Sequence, residues 1–187
     1  MAPVKAIRPR VAYADLERMP EDGRRYELYD GEVFVVPSPM PRHQVAAHKI
    51  GDLFVAYVRS HGGIVLISPI DIVFSEFDVV QPDVVFFSRA RAHLVTPDVA
   101  IRDAPDVAVE VLSPSTAATD RGKKKQMLAR YGVPEYWLVD PRAKTVEICR
   151  LADGAYVLEQ VASAGDVAHS RTLPGLSFAV DEIFGDW

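Results

Sequence analysis

The chain has 187 residues, 49% of them apolar, and a net charge of −5. That length suits one domain with a sizeable buried core, and no apolar run is long enough to span a bilayer. The acidic balance argues against non-specific nucleic-acid binding through bulk charge, and one cysteine, Cys149, can form neither an internal disulfide nor a zinc cluster.

Residues 1–11 are basic and lack the apolar stretch of a signal peptide, so they read as a loose arm before a single domain at 12–187. Cys149 falls in a strand-like run and reads as a core thiol in a reducing cytoplasm. Residues 12–19 suit a short helix stopped by Met19-Pro20. Asp30-Gly31 between Tyr26-Glu27-Leu28 and Val33-Phe34-Val35-Val36 predicts a tight hairpin.

Residues 42–60 carry Ala46, Ala47, Ile50, Leu53, Phe54 and Tyr57 at helical spacing, and Gly62-Gly63 closes the helix. Residues 64–67 and 70–74 follow as strands around Ser68-Pro69, then a strand beginning near Asp83. After a polar loop at 88–104, residues 106–112 form the strand that carries Glu110. A helix is expected from Thr119 or Asp120, either of which would cap it, to Tyr131. Residues 135–140 form the next strand. This strand–helix–strand unit predicts two parallel strands joined by a right-handed crossover. The tail reads as a hairpin, 145–151 and 156–161, around Ala152-Asp153-Gly154. The result is a mixed-sheet α/β or α+β domain with helices packed on a central sheet and hairpins at both ends.

Three residues stand out. Glu110 lies in an apolar strand, where an uncompensated carboxylate costs several kcal/mol, on the order of a lost salt link. Alternation puts Val107, Val109 and Val111 on a core face, and Glu110 on the other with Ala108, whose small size leaves room for an ion or substrate. Asp83 follows Pro82 at a strand entry. Lys124 is in line with Met127, Leu128 and Tyr131, so it lies on the helix face turned to the sheet. Each has a plainer reading: a wet edge position, a surface acid, and a lysine whose stem covers the core. Arg121, Lys123, Lys124 and Lys125 form a local basic patch, which also reads as a solvated helix face. Glu27 and His43 are weaker candidates, one before a turn and one near a helix start.

Two acids and a nearby lysine are the parts of a metal-dependent phosphodiesterase. Mg²⁺ is held through one or two carboxylates with solvent and phosphate oxygens completing its shell. A lysine can steady the nucleophile or the pentavalent phosphate.

The stretches Tyr26-Glu27-Leu28-Tyr29-Asp30-Gly31-Glu32, Gln81-Pro82-Asp83-Val84-Val85, Val109-Glu110-Val111-Leu112-Ser113-Pro114-Ser115 and residues 132–141 (GVPEYWLVDP) resemble the bacterial putative restriction endonuclease family of the PD-(D/E)XK superfamily. The resemblance runs from about Leu16 to Phe184 and implies a restriction-endonuclease-like fold. It implies a Mg²⁺-dependent endonuclease, with Mn²⁺ as the alternative ion, acting on nucleic acid, DNA first. It assigns Asp83 and Glu110 to catalysis and the metal, and Lys124 to catalysis. Glu27 and His43 match positions that recur near the site. Leu112 stands where the superfamily lysine usually lies, and Leu128 where a tyrosine is expected. The competing readings are a catalytically inactive nuclease-fold module that binds nucleic acid, and a protein-interaction domain. A homodimer would cover the edge left by the terminal hairpin. Any sequence recognition would fall to loops such as 88–104.

Overall fold

In the computed structural model, which describes residues 9–20 and 22–185, Asp30 and Gly31 both take positive φ, 52° and 77°. That closes β1 (Arg25–Tyr29) on β2 (Glu32–Val36) as the expected hairpin. The hairpin does not join the main sheet. It forms a four-stranded sheet, ordered β2-β1-β5-β4, with β4 (Ile72–Ser75) and β5 (Asp78–Val80). β5 was not anticipated: three residues are too few to show a period.

The larger sheet contains β3 (Ile64–Ile67), β6 (Val84–Phe87), β7 (Val107–Val111), β8 (Glu135–Asp140), β9 (Thr145–Ala152) and β10 (Ala155–Ser163). Its order is β10-β9-β8-β7-β6-β3. β7 and β8 are parallel, as the strand–helix–strand unit predicts, and the other neighbours are antiparallel. A small hairpin of β11 (Val167–His169) and β12 (Ser177–Ala179) completes the strands.

The two faces of the large sheet are covered differently. Val84, Phe86, Val107, Val109 and Trp137 pack under helix α2 (Pro41–His61) and the C-terminal segment. α2 ends at Gly62, φ 74°, as its sequence predicts. Val85, Ala108, Tyr136 and Leu138 face the other way, against Tyr29, Met127 and Leu128. A helical segment and the small sheet cover that face. Leu128 is fully buried there.

The segment between β7 and β8 differs from expectation. It begins earlier, with α3 (Ala117–Thr119), widens into a π-helical turn at Asp120–Lys124, and ends as α4 (Lys125–Arg130). Thr119 and Asp120 therefore cap nothing. The first short helix, α1 (Tyr13–Leu16), is only one turn long, and α5 (Asp181–Phe184) closes the fold.

The expected loose arm falls largely on residues 1–8, outside the described residues. Arg10 and Val11 are fastened to the hairpin: Arg10 donates to Asp30 at 2.6 Å, and the Val11 N–H donates to the Gly31 carbonyl. β10 is an edge strand with Val157, Leu158 and Val161 half exposed. A register shift between Leu158 and Gln160 interrupts it, so the edge is blunted within the chain itself.

Candidate active site

The β5–β6 connection, Gln81-Pro82-Asp83, carries the chain from the small sheet to the large one. Its position decides the site. β6 and β7 pair in register Val84↔Val109, so Asp83 stands one step further, opposite Glu110. Oδ2 of Asp83 accepts the N–H of Val111 at 2.8 Å, which pins the aspartate across the ladder. His43, in the first turn of α2, places Nε2 3.0 Å from the same oxygen.

The π turn delivers Lys124. Its Nζ lies 2.9 Å from Glu110 Oε1, 2.8 Å from Glu27 Oε1 and 3.6 Å from Asp120 Oδ1. π turns of this kind recur at functional sites. Glu27 comes from β1, and both its oxygens are engaged. Oε1 also accepts the N–H of Gln81, and Oε2 accepts the Tyr29 hydroxyl at 2.7 Å. It reads as the anchor of the lysine. All five residues selected from sequence thus meet, drawn from both sheets, α2 and the helical segment. Glu27, Asp83, Glu110, Asp120 and Lys124 are each at most 5% exposed.

Two sequence expectations need correction here. The room beside Glu110 is not above Ala108, which is fully buried against Tyr136, Tyr29 and neighbouring core residues. It lies beyond the strand end, in a cavity of about 380 Å³ reaching from the β2–α2 connection to the Ser113–Thr116 turn. The basic patch also disperses: Arg121 pairs with Glu147, Lys123 with Glu32, and Lys125 donates to Cys149 Sγ, leaving Lys124 alone to turn inward. The 88–104 loop lies outside the lining of this cavity and is tied to Asp106 through Arg91 and the Ser88 N–H.

Sequence reasoning passed over Asp120 and Gln81. Asp120 sits four residues before Lys124 and was read as a cap; the i,i+4 spacing was the available signal. Gln81 gives its amide to Asp71 at 2.7 Å and its backbone N–H to Glu27. Its Oε1, with Asp120 Oδ2 and His43 Nδ1, is buried without a hydrogen-bond partner among the described residues, and all three residues line the cavity.

Charge is unevenly balanced. Burial pushes the Glu110 carboxyl well above the usual glutamate range; Lys124 opposes this, while Asp120, Asp83 and Glu27 add to it. Burial raises Asp120 as well. For Lys124, burial favours the neutral amine, but Glu110 and Glu27 outweigh it and hold the ammonium above its ordinary range. Three carboxylates, Glu27, Glu110 and Asp120, thus surround one ammonium, and Asp83 stands beside Glu110. The second oxygens of Asp83 and Glu110 accept no hydrogen bond among the described residues.

Such a site has room for another cation. Its donors are hard oxygens, the kind Mg²⁺ and Mn²⁺ take. Among the described residues no three His, Cys, Asp or Glu side chains are grouped to enclose a metal. Mg²⁺ is ordinarily held through one or two carboxylates, with solvent and phosphate oxygens completing its shell. Among the described residues no helix is long and apolar enough to cross a membrane.

The comparisons agree with this architecture. An uncharacterized protein of Synechocystis sp., slr1290, is 28% identical over 164 residues, covering 86% of this chain and 83% of its own length. The crystal structure of a putative nuclease of the DUF820 group from Anabaena variabilis superposes with a TM-score of 0.74 at 17% identity. It covers 93% of this chain and 97% of its own, so the restriction-endonuclease-like fold is shared. Residues 13–181 match the family described as Uma2, putative restriction endonuclease. The chain belongs to that family, and through it to the restriction-endonuclease-like superfamily.

Proposed function

We propose that this protein is a Mg²⁺-dependent endonuclease that hydrolyses phosphodiester bonds of DNA. The observation that carries the reading is the meeting of Lys124 with Glu110 at 2.9 Å, with Asp83 set across the ladder from Glu110 at the floor of a cleft. The family's description and that of the Anabaena relative, both nuclease by name, support the same chemistry.

Asp83 and Glu110 would hold the ion through their unengaged oxygens, and Mn²⁺ would fit the same donors. Once bound, a divalent cation supplies Lewis acidity toward water and a phosphate oxygen. The chain's own groups do the rest. Lys124, kept charged by Glu110 and Glu27, faces the position where negative charge grows on the phosphate and stabilises it there. Glu27, held by Tyr29 and Gln81, fixes the ammonium. His43 holds Asp83 from the α2 side.

A second reading has one observation in its favour: Lys124 is so fully paired by Glu27 and Glu110 that it could serve as a structural ion pair in an inactive, nucleic-acid-binding module. The test is cleavage of single- and double-stranded DNA by purified protein with Mg²⁺ or Mn²⁺. The nuclease reading expects cleavage that chelation abolishes and that Asp83→Ala and Glu110→Ala each reduce by at least ~100-fold, several kcal/mol of barrier. No cleavage of any substrate with either ion sinks it and leaves the binding module. Sedimentation of the same sample tests the proposed homodimer.

A further inference from the structure

A second cavity, of about 300 Å³, adjoins the first. The two share Met40, His43, Ser113, Pro114 and Arg142, so they form one groove leading away from the carboxylates. Its composition is unusual for a site that handles phosphates. Met40 is 73% exposed and Val35 52% exposed, and they stand on the wall with Pro37 and Pro39. Further along, the lining is mostly apolar: Pro41, Leu112, Pro114 and Pro141. Prolines fix their own φ, so these walls are preformed. Leu112, at the position of the usual superfamily lysine, is part of this floor.

Three arginines border the groove. Arg25 and Arg142 line the part over the carboxylates, and Arg42 with Arg142 the part beyond. Arg25 donates to the Ser68 hydroxyl and toward the Pro37 carbonyl. None of the three has a carboxylate partner among the described residues, whereas Arg10, Arg91, Arg121 and Arg130 elsewhere each do. Arg42 and His43 also sit in the 21-residue α2, whose first turn holds no acid. A cation there opposes the helix dipole, so its placement works against the helix and adds positive potential to the groove.

We propose that this groove takes a single strand of nucleic acid and not a duplex. It rests on the nuclease reading only for where the scissile phosphate goes. The carboxylates are almost wholly buried at the cleft floor, between two walls. A phosphate on the surface of a stiff duplex cannot descend there without bringing the double helix with it; a single strand can. A duplex also hides its base faces, and would leave Val35, Met40 and the prolines facing charged backbone. An unpaired base offers those walls an apolar face, as in sites that hold bases out of the stack, while cations follow the phosphates.

The test is fluorescence anisotropy with labelled single strands of DNA and RNA and the matching duplexes, using Glu110→Gln with Mg²⁺ so that the substrate persists. The expected result is a single strand, of either sugar, bound at least tenfold more tightly than its duplex. Val35→Ala with Met40→Ala, both exposed and safe for the fold, should weaken single-strand binding at least fivefold and leave the duplex value unchanged. Three phosphate contacts give a log K against log salt slope of roughly −2 on a single strand, and Arg42→Ala or Arg142→Ala should each reduce it by about 0.7. Equal or tighter duplex binding, or wall substitutions without effect, overturns the proposal. Single-strand preference in a protein that cleaves nothing upholds it while the nuclease reading fails.

Discussion

Asp83 faces Glu110 across the β6–β7 ladder, one step beyond the Val84↔Val109 pair, and accepts the N–H of the residue after it at 2.8 Å. The separation of these acids is thus set by backbone pairing and not by flexible side chains. Lys124 then balances charge on the Glu110 side, between Glu110 and Glu27.

Neutralising Glu110 should separate catalysis from stability. Glu110→Gln keeps the shape and removes a buried charge, while Lys124 retains Glu27. Activity should fall at least ~100-fold, with the melting temperature held within a few degrees, about 1 kcal/mol. Parallel cleavage and calorimetric measurements decide it; a collapse of both would make Glu110 structural.

Lys124→Met should behave in the opposite way. It leaves Glu27, Glu110 and Asp120 buried together without their cation. Breaking a buried pair on one side costs about 3–5 kcal/mol, so melting should fall by roughly 6–20 °C for a chain of this size. Thermal melts at neutral pH check it, and an unchanged transition would mean the carboxylates find another partner.

Tyr29→Phe removes the hydroxyl donated to Glu27 Oε2. The stability loss should be about 1 kcal/mol. Because Glu27 holds Lys124, kcat should drop about tenfold, the scale of a small misplacement of a stabilising charge, with KM unchanged. Steady-state kinetics separate this from a loss of binding, which would move KM instead.

Asp78 gives a pH-dependent prediction. Burial raises its pKa, but the Asp30 N–H, the Tyr131 hydroxyl and Arg130 outweigh that and leave it below the ordinary 3.8. A depressed acid stabilises the fold above 3.8 and loses that contribution as pH falls through its folded value. Asp78→Asn should therefore lower melting at pH 7 by roughly 4–8 °C, about 2 kcal/mol. The gap should narrow as pH drops below 3.8. A gap that widens in acid would reverse the assignment.

Much of the site was legible because its cues are local. Alternation along 107–111 separated Glu110 from the valine face, and helical spacing turned Lys124, not Lys123 or Lys125, toward the sheet. The Asp-Gly hairpin and the Gly62 stop have fixed backbone requirements and fell where expected. What escaped depends on tertiary contacts. β5 is too short to announce itself, so the division into two sheets was invisible, and with it the arrival of Glu27 beside Lys124. A π turn does not follow the 3.6-residue period, so Asp120 looked like a cap. The 88–104 loop was polar, but only the fold shows that it lies outside the cleft lining.

The link through Gln81-Pro82-Asp83 has a consequence for how activity is gained and lost. Glu27 belongs to one sheet, Glu110 to an interior strand of the other, and Asp83 to the link between them, so neither sheet alone contains the complete set. For the proposed nuclease, docking of the two sheets is thus itself a condition of competence. Local opening between them would silence the site while each sheet kept its own hydrogen bonds. Hydrogen exchange at the Gln81 N–H, which is tied to Glu27 across that junction, would report the silent state directly.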